Sequence, residues 1–547
     1  MLKQLLVDAK STLTILNNLD SHTKNKILIE MAQSILENSA FILKENHKDM
    51  LLANKQNLAR IEFKRLALNE KIIENIAEAI ITISEFNDPI GNVLKNWYTE
   101  EKLHINKVSV PIGVIAIIYE SRPNVTSDVA ALCFKSSNVC ILKGGKEAKN
   151  SNRAIVSILQ KVLEKNNLPK AIISFLENDS REETNKLIKE NQYIDLIIPR
   201  GGVKLNQYIT NNASIPVINH DRGLCHVYIH SKANISKALA ISHNSKCEHP
   251  AVCNAMETLL VDKSIASELL LPLKQRFQYS HTKIKGCEKV QNIIDVELAD
   301  ENDFNTEYLD NILNIKIVED IYEALAHIDK YSSKHSETIV TEDQKATQLF
   351  MKQVDSACVY LNASTKFSEG RTFGIGSEVG ISTSKIHARG PIGINELTSY
   401  KYQVYGDGQI KISWINCFNY SGLISLIVLG AILSFPINGL ILVAFAYISN
   451  SFNIPIMLTL LLGISILFLM QPKELNFFKM KNIFSKNPKL STYISNKIHG
   501  LAHFDSLPSA LSQIPNKGVI IFKILNSTLW GSIFIVLGYH VIHNIFY

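Results

Sequence analysis

The sequence predicts an α/β fold with two α/β domains, followed by a C-terminal helical transmembrane segment. The chain has 547 residues, which is too long for one ordinary hydrophobic core. Short apolar runs alternate with amphipathic stretches between residues 108 and 361, and this alternation is typical of parallel sheets covered by helices. Near residue 418 the composition changes to long apolar runs with almost no charge.

The first hundred residues are predicted to form amphipathic helices. Apolar residues recur there at steps of three and four, with Lys and Glu on the other face. Asp20 or Ser21 is placed to cap one of these helices. The N-terminus lacks the apolar core of about 7–15 residues that marks a secretory signal, so we expect this part of the chain to stay in the cytoplasm.

Two sets of short apolar runs follow the helices. The first set comprises residues 108–120, 138–145, 171–177, 195–202, 216–220 and 226–230. A second set of strands and helices begins at residue 254 and ends with CVYLN at 358–362. Each set predicts a doubly wound, parallel sheet, and two such domains place a cleft between them with Cys253 at the join.

Two glycine turns are candidate phosphate sites. ILKGGKEAKNSN (141–152) and IIPRGG (197–202) each place glycines directly after an apolar run and beside a cation. Glycine lets the backbone approach a phosphate, and Lys143, Lys146 or Arg200 can neutralise it. Ordinary strand-to-helix turns with surface cations explain the pattern equally well. GIGSEVG (374–380) has one residue too many for a dinucleotide fingerprint.

Cys253 has three interpretations on its residues alone. Small or polar neighbours surround it in EHPAVCNAM, whereas an inert core thiol is usually flanked by bulky apolar residues. A metal site would combine it with Cys247, His249 and Cys225 or His226, but the paired spacing of structural zinc sites is missing. A nucleophilic thiolate at a domain join needs room and nearby oxyanion donors, which small residues supply.

The charge and cysteine counts exclude some classes of protein. The chain has 57 Lys+Arg against 51 Asp+Glu, a formal net charge of +6, and this bias is too small to predict nucleic-acid binding. Its 8 cysteines show no framework spacing, which favours free thiols in a reducing compartment. We expect no resident metal.

Long stretches of residues 1 to about 415 resemble one family, the γ-glutamyl phosphate reductases of the aldehyde dehydrogenase superfamily. The stretches that carry the resemblance are 111–152, 193–202, 214–229, 253–261, 354–370 and 373–402. The resemblance implies two Rossmann-like α/β domains and an oligomerisation segment. It also implies NADPH-dependent reduction of L-glutamyl 5-phosphate to L-glutamate 5-semialdehyde, with release of phosphate, in proline biosynthesis.

The resemblance, together with the change of composition near residue 418, implies a division into four parts. Residues 1–252 would hold the N-terminal helices and the NADP-binding domain, and 253–385 the catalytic domain with the Cys nucleophile. Residues 386–417 would return to the cofactor and oligomerisation region, and 418–547 would form the membrane tail. A homo-oligomer and channelling with glutamate 5-kinase are further expectations of this resemblance.

The resemblance also assigns site residues. Cys253 matches the nucleophile, and Asn124, with the Cys253 backbone N–H, matches the oxyanion donors. Lys143, beside Gly144 and Gly145, matches the lysine that holds the adenosine ribose. The second cofactor loop would be formed by Arg200, Gly201 and Gly202. Glu307 matches the acid on the nicotinamide ribose, although its sequence context fits a surface acid as well.

Cationic residues are expected around the substrate phosphate and carboxylate. Among Arg122, Lys366, Arg371 and Arg389 we rank Arg122 and Arg389 first, because guanidinium groups bind oxyanions with two hydrogen bonds. Hydrolytic aldehyde dehydrogenases carry a water-activating glutamate in the loop that matches residues 218–226. That loop has none here, which favours exchange of a thioester with phosphate over hydrolysis.

The tail falls outside the resemblance and predicts about three transmembrane helices, 420–447, 454–470 and 518–542. Residues 420–449 contain no charged side chain, and a bilayer span needs about 20 apolar residues. Lysines dominate the loop 471–517, which predicts a cytoplasmic loop. We therefore expect a cytoplasmic catalytic part tethered to the inner membrane. A merged neighbouring reading frame would also explain the tail.

Two other functions fit the same residues. The dehydrogenase part could be an inactive scaffold of a membrane complex, or a reductase of another acyl phosphate. A substrate panel separates the second from glutamyl phosphate reduction, and the reactivity of Cys253 tests the first.

Overall fold

The computed structural model describes residues 2–58, 60–218 and 222–411. The predicted membrane spans 420–447, 454–470 and 518–542 lie outside these residues. Within the described ranges, no helix is both long and apolar enough to cross a bilayer.

The N-terminal region is helical, as predicted. Its helices are α1 (Leu2–Ser11), α2 (Leu13–Asn17), α3 (Ser21–Glu37), α4 (Ser39–Lys55), α5 (Arg60–Leu66) and α6 (Glu70–Glu85). Asp20 caps α3, where its carboxylate accepts a hydrogen bond of 2.7 Å from the Thr23 backbone N–H. This confirms one of the two expected caps and satisfies a donor that the first helical turn leaves unpaired.

An antiparallel sheet interrupts the expected order. Strand β1 (Val93–Tyr98) pairs with β2 (His104–Pro111), and β1 was not predicted because its side chains lack apolar alternation. The apolar run 108–120 is split between β2 and β3 (Val114–Tyr119), which belong to different sheets. Gly113 lies between them with φ +132°, and an added Cβ would clash with the Asp195 carboxylate, so the turn requires glycine.

The first parallel sheet has four strands in the order β5-β4-β3-β6. Its remaining elements are α7 (Pro123–Lys135), β4 (Val139–Lys143), α8 (Lys149–Lys165), β5 (Ile173–Phe175), α9 (Arg181–Leu187), β6 (Leu196–Arg200) and α10 (Val203–Asn212). Every residue of β3 and β4 is buried, as expected for parallel strands covered on both faces. The strand order reverses beside β3, so the carboxyl ends of β3 and β6 form a crevice of the kind where ligands bind.

The second parallel sheet has seven strands in the order β10-β9-β11-β8-β7-β12-β13. Its elements are β7 (Cys225–Ile229), α11 (Ile235–Cys247), β8 (Met256–Asp262), α12 (Ala266–Tyr279), β9 (Lys283–Gly286), α13 (Glu288–Gln291), β10 (Glu297–Leu298), β11 (Ile312–Val318), α14 (Ile321–Tyr331), β12 (Ser336–Val340), α15 (Gln344–Gln353) and β13 (Cys358–Leu361). Along β8, Leu259 and Val261 pack into one core, whereas Leu260 packs into the core on the opposite face. This alternation follows from the two-residue period of a strand.

The chain then returns to the first half of the molecule. Strands β14 (Gly380–Ser382) and β15 (Gly390–Ile392) pair with each other, and β16 (Thr398–Tyr405) pairs antiparallel with β2. Ile392 and Leu397 are buried in the core of the first sheet. The sequence predicted that the chain returns to the first domain, and it does so through β16, which completes the three-stranded sheet β1-β2-β16.

Two expected boundaries shift. Strand β7 lies before the expected boundary at 252/253, yet it pairs with β8 and β12 in the second sheet. Val379 already packs into the core of the first sheet, so the return begins before residue 386. The sequence could not reveal either shift, because a short buried strand reads the same in either sheet.

Candidate active site

A cleft of about 750 Å³ lies at the crevice between the carboxyl ends of β3 and β6. Residues of both parallel-sheet regions line it. Those that carry chemical groups include Arg65, Glu120, Ser121, Arg122, Arg200, Arg222, Cys253, Asn254, Glu307, Lys366, Ser368, Glu369 and Glu378. The first sheet contributes through its strand ends and the second through the turn that precedes β8.

Neighbouring residues fix the backbone at Cys253. The Cys225 thiol donates to the Cys253 carbonyl oxygen at 3.2 Å. A Cβ added to Gly223 would lie 1.9 Å from that same oxygen, so only glycine permits the approach. The Gly223 N–H donates to Glu307 Oε1 at 2.8 Å. Glu307 lines the cleft and supports the segment before β7 that passes beside the Cys253 carbonyl.

Asn254 places a cation beside the thiol. Its side chain is buried and donates to the Lys366 and Ser368 carbonyl oxygens, at 3.2 Å each. Lys366 Nζ in turn donates to Asn254 Oδ1 at 2.7 Å. These reciprocal bonds hold the ammonium of Lys366 close enough to Cys253 for the two charges to interact.

The Cys253 thiol is protonated at neutral pH in this state. Burial raises its pKa to about 11, because a thiolate loses its hydration in the cleft. Arg200 and Lys366 lower the pKa, while the carboxylates of Glu307 and Glu378 raise it. Burial is therefore the main obstacle to forming the thiolate, and the charges of Glu307 and Glu378 add to it.

Guanidinium groups gather opposite the thiol. Burial, together with the nearby charges of Arg65 and Arg200, lowers the pKa of Arg122 to about 10. Arg200 Nε is buried without a hydrogen-bond partner among the described residues. Cations that lie close together and still have unused hydrogen-bond donors are suited to binding an oxyanion.

A second cavity of about 350 Å³ adjoins the cleft, since Glu369 and Glu378 line both. It lies against α6 and α7, and Asn124, Asp128 and Arg371 line it. Burial raises the pKa of Asp128 to about 7 and that of Glu378 to about 7.

The two expected cofactor turns lie at the carboxyl edge of the first sheet. Lys143 ends β4, is buried, and donates to the Gly144 carbonyl oxygen at 3.3 Å; burial lowers its pKa. Gly201 and Gly202 directly precede α10, and the Gly202 N–H donates to Glu120 Oε2 at 2.9 Å. The turn thus presents a backbone N–H to a negatively charged oxygen, as helix N-termini do for phosphates and other oxyanions.

The structure brings together some of the expected site residues and separates others. Arg122, Arg200 and Glu307 line the cleft with Cys253. Asn124 lines the second cavity instead. Arg389 donates to the Asp355 carboxylate at 2.7 Å and to its carbonyl oxygen at 2.9 Å, and it lines neither cavity. Lys143, Gly144 and Gly145 do not line the Cys253 cleft.

Residues 9–288 match the pattern of the aldehyde dehydrogenase family. The γ-glutamyl phosphate reductase of Nautilia profundicola is 52% identical over 410 residues, which are 75% of this chain and 100% of that protein. The protein of the same name from Nitratiruptor sp. is 54% identical over 411 residues, again 75% of this chain and 100% of that protein. The chain belongs to the aldehyde dehydrogenase family, among the γ-glutamyl phosphate reductases.

Solved structures support the same placement. The crystal structure of γ-glutamyl phosphate reductase from Thermotoga maritima is 40% identical, with a TM-score of 0.74, and the match covers 75% of this chain and 100% of that one. An acetylating aldehyde dehydrogenase from Geobacillus thermoglucosidasius is 19% identical with a TM-score of 0.55, over 75% of this chain and 97% of that one, which shows the fold alone. Membership of the aldehyde dehydrogenase family implies a nicotinamide cofactor.

Several cleft residues of this aldehyde dehydrogenase were not predicted from sequence. Glu120 directly follows β3 at the point where the strand order reverses, which is a recognisable signal. Glu378 lies in GIGSEVG, a segment considered only as a dinucleotide fingerprint. Arg65 and Arg222 of the cleft, and Asp128 of the second cavity, carry no motif. Among the described residues, no group of three or more His, Cys, Asp or Glu side chains is arranged to hold a metal ion.

Proposed function

We propose that residues 2–409 form an NADPH-dependent γ-glutamyl phosphate reductase, which converts L-glutamyl 5-phosphate to L-glutamate 5-semialdehyde and releases phosphate. This reaction is a step of proline biosynthesis. One observation carries the proposal: the Cys253 thiol shares its cleft with Arg122, Arg200 and Lys366. A nucleophile among cations is suited to a substrate whose leaving group is a phosphate.

Cys253 would attack the carbonyl carbon of the substrate. The S–C bond forms, the C–O bond to phosphate breaks, and the thiol proton passes to an acceptor in the cleft, leaving a thioester on Cys253. Arg122 and Arg200 would hold the phosphate. Because Asn124 lines the second cavity, we assign the developing oxyanion to the Cys253 backbone N–H and to Lys366, with Asn124 in a supporting position.

The residues at the carboxyl edge of the first sheet fit a nicotinamide dinucleotide. The Gly202 N–H already points at an anionic oxygen of Glu120, and Gly201 has no room for a Cβ beside that carboxylate. When bound there, the cofactor supplies the hydride that reduces the thioester. Lys143, with Gly144 and Gly145, would hold its adenosine end, and Glu307 would bind the nicotinamide ribose.

NADPH is proposed over NADH because of the charge at the end of β4. Lys146, three residues after Lys143 in the sequence, is exposed, and Lys149 lies close enough to Lys143 to affect its pKa. Cations at this position favour the additional phosphate of NADP. In the oxidative direction, Lys146→Glu should lower the preference for NADP⁺, measured as kcat/KM with NADP⁺ divided by kcat/KM with NAD⁺, by at least tenfold.

The test of function is phosphate-dependent reduction of NADP⁺ with glutamate 5-semialdehyde. The wild-type protein should be active, Cys253→Ala inactive, and the matched control Cys287→Ala fully active, because Cys287 lies outside the cleft. Activity in Cys253→Ala would refute the thioester mechanism. If the wild-type protein is inactive and its Cys253 reacts with iodoacetamide no faster than Cys287, the protein would be better explained as an inactive scaffold of a membrane complex. Activity with other aldehydes but not with glutamate 5-semialdehyde would indicate a reductase of another acyl phosphate.

We propose a homo-oligomer that forms through the antiparallel sheet β1-β2-β16. Leu94, Tyr98, Tyr402 and Val404 are all more than half exposed on its strands, and such an apolar sheet surface is suited to a second copy. Light scattering should show a smaller species for Tyr402→Lys than for the wild type. Channelling with glutamate 5-kinase remains a proposal from the resemblance.

Membrane attachment through residues 418–547 also remains a proposal, as does the cytoplasmic location of the catalytic part. Its support is the uncharged stretch 420–449. Carbonate extraction of membranes should retain the full chain and release residues 1–411 expressed alone. Release of the full chain would contradict the proposal.

A further inference from the structure

The second cavity contains polar groups that the proposed chemistry at Cys253 leaves unused. Ile72 and Ile76 of α6 form an apolar wall. Opposite charges are distributed around it, with Asp128 and Glu378 as acids and Arg371 as a cation. A concave space with an apolar wall and a few polar groups of both signs is typical of a small-molecule subsite.

Both acids have an oxygen without a partner. Asp128 Oδ1 and Glu378 Oε2 are shielded from water, and neither has a hydrogen-bond partner among the described residues. Asp128 Oδ2 receives only a long bond of 3.5 Å, from Asn124. A buried carboxylate oxygen without a partner is costly, and rotation of the terminal torsion can turn either oxygen of Asp128 toward a ligand.

The cation of this cavity is also available. Arg371 is exposed, and in the described part of the chain no carboxylate lies within ion-pair distance of it. A guanidinium binds a carboxylate with two parallel hydrogen bonds. The cavity therefore offers acceptors for a positive group and donors for a negative one.

We propose that the second cavity binds the α-ammonium and α-carboxylate of the substrate, with Asp128 and Glu378 on the ammonium and Arg371 on the carboxylate. This rests on the proposed function. Two methylene groups separate the reacting carbonyl carbon of the substrate from its α-carbon. Glu378 lines both the cleft and the second cavity, so the proposal places the α-carbon of the substrate at Glu378 and its carbonyl carbon beside Cys253.

The assignment gives the α-ammonium a second effect. Glu378 is one of the charges that disfavour the Cys253 thiolate. An ammonium ion beside Glu378 offsets that charge, so an α-amino acid substrate would favour the reactive form of its own nucleophile. Loss of the α-amino group should then lower kcat as well as raise KM.

Three aldehydes test the assignment in the phosphate-dependent assay. Glutamate 5-semialdehyde has both groups, 5-oxopentanoate lacks the ammonium, and 4-aminobutanal lacks the carboxylate. Asp128→Asn should lower kcat/KM for glutamate 5-semialdehyde and 4-aminobutanal by about 10- to 100-fold, as expected for a lost charged hydrogen bond, and leave 5-oxopentanoate within twofold. Arg371→Met should lower kcat/KM for the two carboxylates and spare 4-aminobutanal.

Controls and contrary outcomes separate the proposals. Glu319→Gln, a surface acid paired with Lys263 and Lys289, should change none of the three values. Equal loss for all three aldehydes in Asp128→Asn and Arg371→Met would refute the subsite. An equal rise of kcat for all three aldehydes in Glu378→Gln would show that Glu378 acts on the thiol alone. A wild type without activity on glutamate 5-semialdehyde would instead contradict the proposed function. Arg371 is exposed, so its variant should fold even if Asp128→Asn does not.

Discussion

Gly223→Ala should inactivate the enzyme without unfolding it. The added Cβ would lie 1.9 Å from the Cys253 carbonyl oxygen, whereas ordinary van der Waals contact begins at 3.4 Å. One of the two backbones must therefore move by about 1.5 Å. The nearest atoms are main-chain atoms of the nucleophile itself, so no flexible side chain can absorb the overlap, and the thiol is displaced from the substrate carbonyl.

The size of the effect follows from that displacement. A misplacement of about 1 Å costs roughly 100-fold in rate, so kcat should fall at least 100-fold, equivalent to about 2.7 kcal/mol of barrier. The assay is phosphate-dependent NADP⁺ reduction, with the iodoacetamide rate of Cys253 as a second readout. Gly91→Ala is the control, because Gly91 has φ +83° and no neighbour within 4 Å; it should cost about 1 kcal/mol of stability and no activity. Unchanged kcat in Gly223→Ala would refute the reasoning.

Three further predictions concern charge. Lys246→Met should lower the free energy of unfolding by roughly 3 kcal/mol in a urea titration, because it leaves Glu257 buried without the lysine that now lies at 2.9 Å. Adding Glu257→Gln to this variant should restore part of the loss, and a Lys246→Met variant as stable as the wild type would contradict the prediction. Burial raises the pKa of Asp128 from 3.8 to about 7. The neutral form of Asp128 therefore contributes its full stabilisation below pH 4, and this contribution, up to about 4 kcal/mol, is lost as the pH rises to 7. The Tm of Asp128→Asn should exceed that of the wild type by an amount that grows from pH 4 to pH 7, and a constant difference would count against the prediction. Arg200→Met should raise the pKa of Cys253 and slow its alkylation at pH 8 several-fold, and an unchanged rate would exclude that influence.

Local patterns in the sequence predicted much of the fold. Asp20 is a helix cap because its carboxylate needs only a donor three residues away. The strands Val114–Tyr119 and Met256–Asp262 are continuous apolar runs, which is the mark of a parallel strand buried on both faces. Cys253 was singled out by its small neighbours, and the structure places it in the larger cavity.

Properties that depend on distant residues were not accessible in the same way. Asp128 and Glu378 are separated by 250 positions, and only the fold brings them to one cavity. Arg389 lies in a family-like segment, but it is held by Asp355 on a neighbouring turn, and no local pattern announces that pairing. The raised pKa of Cys253 also reflects burial by segments from both sheets, which composition cannot express.

The proposed nucleophile and the proposed cofactor turns rest on separate hydrophobic cores. Cys253 precedes β8 and is supported by Cys225 of β7, whereas Lys143 and Gly202 end or follow strands of the first sheet. Nucleotide preference can therefore diverge among relatives, or be engineered, through substitutions near β4 that leave the chemistry of the thiol intact. The residues that bind the cofactor and those that carry the thiol chemistry can therefore change separately. Both sets must keep the same distance between cofactor and thiol across the cleft.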